Sequence, residues 1–188
     1  MRTKPRILVD MDGPLAAFDE AVWRDTQDLD WPEGYDVAHP THRFSTDVLS
    51  KEHRAIARAR IETSGFFENI PVVPGAVEAF HRLAEVADVW ICTKPLEANP
   101  TCRDEKAAWV GSVLGWEWEK RLIITPDKSM VVGEALIDDA PKKSWLQRAT
   151  WVPVIFPRPY NGSDSEWDDL PRWGWDDPID DLMVIIGW

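Results

Sequence analysis

Long apolar runs are missing from this chain. No stretch approaches the roughly 20 consecutive apolar residues that a bilayer-spanning helix requires, so the sequence excludes a helical membrane protein. The start Met1–Arg6 is basic like the first region of an export signal, yet the apolar residues behind it, Ile7, Leu8 and Val9, stop at Asp10. The expectation is therefore a cytoplasmic protein. Cysteine is scarce: Cys92 and Cys102 are too few for a zinc site and, without an export signal, are expected as free thiols. Positive charge is also short. With 21 Lys and Arg against 33 Asp and Glu the net charge is −12, which excludes broad binding to a nucleic-acid polymer, where many cations must meet phosphates. A small anionic substrate stays compatible if a metal ion or a local cation offsets the surrounding field. Internal repeats and low-complexity segments are absent.

What is present fits one soluble domain with a sizeable core and a small insertion: 188 residues, 44% of them hydrophobic. Tryptophan is plentiful, 12 in all, with six (Trp145, Trp151, Trp167, Trp173, Trp175, Trp188) in the last quarter; most are expected to pack in the core, and one or two could stack on a base. The acidic run Asp164 to Asp181 reads as a solvated surface. Strand-length apolar runs at Arg6–Val9, Val89–Cys92, Leu122–Thr125, Ala135–Ile137 and Trp151–Phe156 alternate with helical segments, the pattern of an α/β fold with a parallel sheet flanked by helices. Pro74 and Gly75 open a helix with Val77, Phe80, Leu83 and Ala84 on one face; Ala107, Val110, Val113 and Leu114 mark another. Pro178–Ile186 closes the chain with Ile179, Leu182, Met183 and Ile186 inward. Residues 19–73 offer no strong strand, only a helix over Lys51–Thr63, and are expected as a helical insertion; residues 1–18 and 74–188 then form the main domain.

In an open parallel sheet, ligands bind beyond the carboxyl ends of the strands. Asp10, Thr93, the loop Pro126–Lys128 and the pair Asp138–Asp139 each stand at such an end. Asp10 and Asp12 follow an apolar strand and precede Gly13, which tolerates a sharp turn. The Asp10 carboxylate, the backbone carbonyl of Asp12 and a carboxylate from Asp138 or Asp139 make an incomplete octahedron of hard oxygens, suited to Mg2+. Such an ion would let a phosphate dianion approach the carboxylates. Asp10 can attack phosphorus, and Asp12 can move the proton to the leaving group and from the attacking water. Thr93 offers a hydroxyl and an N–H to phosphoryl oxygens, and Lys128 a fixed positive charge, with Lys94 and Lys143 competing for that cationic role. Each element alone also reads as an ordinary turn, cap or surface residue; their order and joint spacing carry the signal.

These four segments, in this order, resemble the motifs of the haloacid dehalogenase superfamily of phosphohydrolases. The segments Val9–Phe18, Gly65–Glu68, Pro74–Glu78, Ile91–Pro95, Thr125–Lys128 and Leu136–Asp139, with Cys102, Glu105, Lys106 and Trp109, resemble its 5′(3′)-deoxyribonucleotidases in particular. The resemblance implies a Rossmann-like core with a small helical cap after the first motif, magnesium, and hydrolysis of deoxyribonucleoside monophosphates. By residue matching Asp10 is similar to the nucleophile, Asp12 to the acid/base, Thr93 to the phosphate-binding hydroxyl and Lys128 to the lysine of the third motif. Asp139 is similar to the metal ligand and Asp138 to its supporting neighbour, although a shift of one residue would exchange them. Phe18 is similar to an aromatic lining the nucleoside pocket, Phe66 or Phe67 to a second, and Phe44, where the match is looser, to a third. The family also suggests a homodimer. Three departures bear on substrate: Pro14 replaces Val or Thr and removes an N–H, Lys94 replaces a serine, and Pro126 replaces a substrate-holding arginine. The rival readings are a phosphatase of the same superfamily for sugar phosphates or ribonucleotides, a phosphotransferase, and a non-catalytic nucleotide-binding module.

Overall fold

The computed structural model describes residues 4–162 and 165–188. Met1–Thr3 of the basic start and Asp164 of the acidic run lie outside the described residues.

Ile7, Leu8 and Val9 are fully buried, which places their strand, β1 (Arg6–Val9), at the centre of a sheet covered on both faces. Burying each such side chain stabilises the fold by about 1.5–3 kcal/mol. The other strands are β2 (Asp88–Thr93), β3 (Leu122–Ile124), β4 (Ala135–Asp138) and β5 (Val152–Ile155). All pair in parallel, in the order β3-β2-β1-β4-β5. Ile7 stands between Val89 and Ala135, Leu8 between Trp90 and Leu136, and Val9 between Ile91 and Ile137. The alternation sends Ile7, Val9, Ile91 and Ile137 into the larger core with Phe80, Trp109 and Trp173. Leu8, Cys92 and Leu136 face the other way, against Trp145 and Trp151. The expected strands are thus all present, the fifth shortened from Trp151–Phe156 to Val152–Ile155.

Helices α1 (Phe18–Asp25), α2 (Lys51–Ile61), α3 (Ala76–Val86), α4 (Cys102–Leu114), α5 (Lys143–Leu146) and α6 (Ile179–Ile185) complete the layers. α2 starts where the Ser50 hydroxyl accepts the His53 N–H at 3.2 Å, an N-cap, and ends two residues before the expected Thr63. α4 departs from expectation. Its buried face is Cys102, Glu105, Lys106, Trp109, Val110 and Leu114, whereas Ala107 and Val113 are only half-buried, because two buried charges lie within the inward stripe.

Between α1 and α3 no strand forms among the described residues, only α2 and short 3-10 turns at Ser45–Val48 and Phe67–Asn69. Specific polar ties fix this segment to the sheet's helices. Glu105 accepts the N–H groups of Gly65 (2.5 Å) and Phe67 (2.9 Å), Asn99 donates to the carbonyls of Ile61 and Thr63, and the Trp109 indole donates to Ile70 at 2.7 Å. Trp109, Trp145, Trp151, Trp167, Trp173 and Trp175 are buried, as are both cysteines, which are free thiols. Among the described residues no helix is long and apolar enough to cross a membrane.

Candidate active site

The chain runs from β1 outward through β2 to β3, then returns to β4 on the other side of β1. Adjacent strands whose connections leave in opposite directions open a crevice at their carboxyl ends. Asp10 follows β1 and donates its N–H to the Ile137 carbonyl of β4 at 2.8 Å, which brings it beside Asp138 and Asp139. One oxygen from each of Asp10, Asp138 and Asp139 lies within 4.8 Å of the others. Gly13 makes room for this group: its φ is +93°, and a Cβ there would sit 2.7 Å from Cγ of Asp139.

Lys128, only 1% exposed, bridges two of these acids, with Nζ 2.8 Å from Oδ1 of Asp10 and 2.7 Å from Oδ2 of Asp138. Burial works to lower its pKa, but Asp10 and Asp138 outweigh that and hold the ammonium above its usual value. Burial raises Asp10 to about 6, with Lys128 opposing and Asp138 and Asp12 adding to the rise. Asp139 is pushed up to about 8 by burial and by the charges of Asp138 and Asp10. Carboxylates so close and so buried are relieved either by protons or by a divalent cation between them. An all-oxygen donor set with space kept open at Gly13 fits a hard ion of the magnesium type. Asp138 is further held by the Ala140 N–H at 2.8 Å; Asp139 accepts the Tyr160 hydroxyl, and its carbonyl accepts from Asn161 at 2.8 Å.

Asp12 is held differently. Its Oδ2 accepts from Nζ of Lys106 at 2.6 Å, while Oδ1 is buried with no hydrogen-bond partner among the described residues. Lys106 is fully buried in α4 and also donates to Oγ1 of Thr93 (2.8 Å) and the Lys94 carbonyl (3.0 Å). One oxygen of Asp12 is therefore anchored and the other remains available for a proton.

A cavity of about 370 Å³ brings together Asp10, Asp12, Phe18, Phe44, Phe67, Lys94, Lys128, Asp138 and Asp139. Thr93 stands behind it, fully buried, and is not part of its lining. Phe66 is also outside the lining; it packs edge-on against Phe18 and Phe67, with centroids 5.6 and 5.2 Å apart. Lys143 points elsewhere, pairing with Glu166 at 3.5 Å. Pro14 offers its carbonyl to the Trp175 indole at 2.6 Å. A larger cleft of about 630 Å³ at Arg24, Arg60 and Asn69 contains none of the strand-end acids. Sequence reasoning gave no role to Tyr160, Arg43, Lys142 or Asp19, all of which line the cavity, and touched Lys106 only through a family resemblance. A lysine beside a glutamate on the same helix as Trp109 was the available signal for Lys106.

Comparison with known proteins follows the same lines. Residues 4–174 match the model of a family described as 5′ nucleotidase, deoxy (pyrimidine), cytosolic type C. A Bordetella pertussis protein provisionally named a 5′(3′)-deoxyribonucleotidase is 38% identical over 173 residues, covering 90% of each chain. The human cytosolic-type 5′(3′)-deoxyribonucleotidase is 32% identical over 166 residues, covering 83% of this chain and 81% of its own. Among solved structures, a Bacillus subtilis protein provisionally assigned as a HAD-hydrolase, bound to magnesium, aligns over 100% of both chains with a TM-score of 0.57 and 10% identity, a likeness of fold.

Proposed function

We propose that this chain, which belongs to the cytosolic type C 5′-nucleotidase family and is a phosphomonoester hydrolase, hydrolyses deoxyribonucleoside 5′(3′)-monophosphates in the cytoplasm through an aspartyl-phosphate formed on Asp10. Residues 19–73 act in this reading as a cap over the core formed by 1–18 and 74–188. The observation that carries the proposal is the pairing, in one cavity walled by Phe18, Phe44 and Phe67, of a lysine-held Asp10 with an Asp12 whose Oδ1 is free.

Asp10 attacks phosphorus as the bond from phosphorus to the ester oxygen breaks, and Asp12 delivers a proton from Oδ1 to the departing alkoxide. Asp12 then takes a proton from water, whose oxygen attacks the aspartyl-phosphate and releases inorganic phosphate and Asp10. Lys106 keeps Asp12 oriented through Oδ2, so that its proton traffic runs at Oδ1. Lys128 fixes Asp10 and faces the negative charge that spreads over the phosphoryl oxygens. Asp10, Asp139 and the carbonyl of Asp12 would hold magnesium, with Asp138 supporting through Lys128. When bound, the ion would neutralise the phosphate dianion among the carboxylates. The aromatic walls offer the base a stacking surface and keep bulk water from the phosphoryl group.

The test is phosphate release from a panel of monophosphates with magnesium. Deoxyribonucleotides should exceed ribonucleotides and sugar phosphates, a chelator should stop turnover, and Asp10→Asn should abolish it in a folded protein. Equal rates on unrelated sugar phosphates would refute the nucleotidase reading, and full activity in Asp10→Asn would remove the nucleophile.

A further inference from the structure

Above the buried acids the cavity changes sign. Arg43, Lys94 and Lys142, brought from three distant parts of the chain, all line its mouth. Each is solvent-exposed, and two are fixed by uncharged neighbours. Arg43 donates to the Ala140 carbonyl at 3.1 Å and lies 5.3 Å over the Phe44 ring and 5.7 Å over that of Trp167. Lys142 lies 5.1 Å over the Trp145 ring. Among the described residues none of the three forms an ion pair, although the chain carries −12 overall. Glu97, the acid that acts on Lys94, is itself paired with Arg103 at 2.8 Å. Like charges gathered without counter-charges in so acidic a protein repel one another, and Lys94 shows it: burial, then Lys142 and Arg43, lower its pKa. An anion relieves that repulsion.

We propose that Arg43, Lys94 and Lys142 form a second anion subsite at the cavity mouth, which selects nucleotides carrying a second, non-scissile phosphate: nucleoside 3′,5′-bisphosphates. The inference rests on the phosphatase reading for the scissile phosphate. In that reading the four acids Asp10, Asp12, Asp138 and Asp139 are matched by Lys106, Lys128 and a divalent cation, and Asp19 faces Arg158 at 3.8 Å. The three cations at the mouth are left to the substrate. A monoester dianion offsets two of them; the third is left for a second anionic group on the same ligand.

Binding and turnover are measured separately, so that this inference and the nucleotidase reading fail differently. The Asp10→Asn protein is titrated calorimetrically, with magnesium, with deoxythymidine 5′-monophosphate and with deoxythymidine 3′,5′-bisphosphate. The bisphosphate should bind about tenfold more tightly, the size expected of a few exposed charge pairs, and the advantage should shrink in high salt. Adding Arg43→Gln and Lys142→Gln should bring the ratio towards one, with circular dichroism confirming the fold; Lys142→Gln alone should lower it by part. Equal affinities for the two nucleotides, or a ratio that survives both substitutions, would overturn the subsite. A binding advantage in a protein whose wild type hydrolyses neither nucleotide would support the subsite and sink the nucleotidase reading.

Discussion

Replacing Lys106 by methionine keeps the length of the side chain and removes its charge and three hydrogen bonds, to Asp12 (2.6 Å), Thr93 (2.8 Å) and the Lys94 carbonyl (3.0 Å). Lys106 is fully buried, and breaking a buried ion pair from one side costs about 3–5 kcal/mol. Asp12 lines the cavity and can be rehydrated from it, so the loss should fall near the lower end, about 3 kcal/mol by urea unfolding. Activity should fall as well. A general acid/base contributes about 10²- to 10⁴-fold. In the variant the Asp12 carboxylate survives but loses its anchor, so kcat should drop by about 10- to 100-fold with KM little changed. A merely structural lysine would also destabilise, and a double-mutant cycle separates the two cases. If Lys106 acts through Asp12, Lys106→Met should cost almost nothing further in kcat once Asp12→Asn is in place. A folded Lys106→Met enzyme with kcat within about twofold of wild type, or losses that simply multiply, would refute the positioning role.

Two other perturbations test the supports of the site. Gly13→Ala puts a Cβ 2.7 Å from Cγ of Asp139 at a φ of +93°, so it should weaken magnesium binding about 10- to 100-fold by calorimetry, and cost about 1–2 kcal/mol in backbone strain; undiminished magnesium affinity would show that Asp139 is not held at this spot. Glu105 governs acid stability. Burial would raise its pKa, but the N–H groups of Gly65 and Phe67 and the hydroxyls of Thr101 and Ser64 prevail and hold it below the usual glutamate value. Its contribution is thus complete above the unfolded value, near about pH 4.3, and is lost as pH falls through the lower folded value. Melting temperatures taken from pH 6 down to 3 should fall less steeply in Glu105→Gln than in wild type, from a lower plateau; parallel curves would show that Glu105 does not carry this dependence.

The sheet was legible because its strands are buried on both faces: Ile7-Leu8-Val9 and Ala135-Leu136-Ile137 are apolar without a break and stand out from any helical period. The acids were legible for the same reason, since an aspartate that ends such a run is placed by the register of the strand itself. Asp10 and Asp138 need no knowledge of the rest of the fold to be put at one edge. Lys106 is the opposite case. Its helix was read by its apolar residues, and Glu105 and Lys106 interrupt the stripe that in fact faces inward, so the pattern pointed towards Ala107 and Val113. The property that hid Lys106, a charge on a buried face, is the property that lets it anchor Asp12. Arg43, Lys142 and Tyr160 escaped for another reason. Arg43 and Lys142 arrive on loops and Tyr160 on a short 3-10 turn, and only tertiary contacts, such as Arg43 to Ala140 and Tyr160 to Asp139, bring them to the cavity.

That division bears on substrate. In the proposed mechanism the parts set by strand register are those of phosphoryl transfer. The parts delivered by loops form the mouth, where Lys94 follows β2, Lys142 follows β4 and Arg43 comes from the segment before α2. Changes at such loop positions leave the reacting phosphate's surroundings intact while moving the counter-charge that the rest of the substrate meets. Differences from the family should therefore appear in KM across substrates of different charge, with kcat on a common monophosphate the quantity least affected.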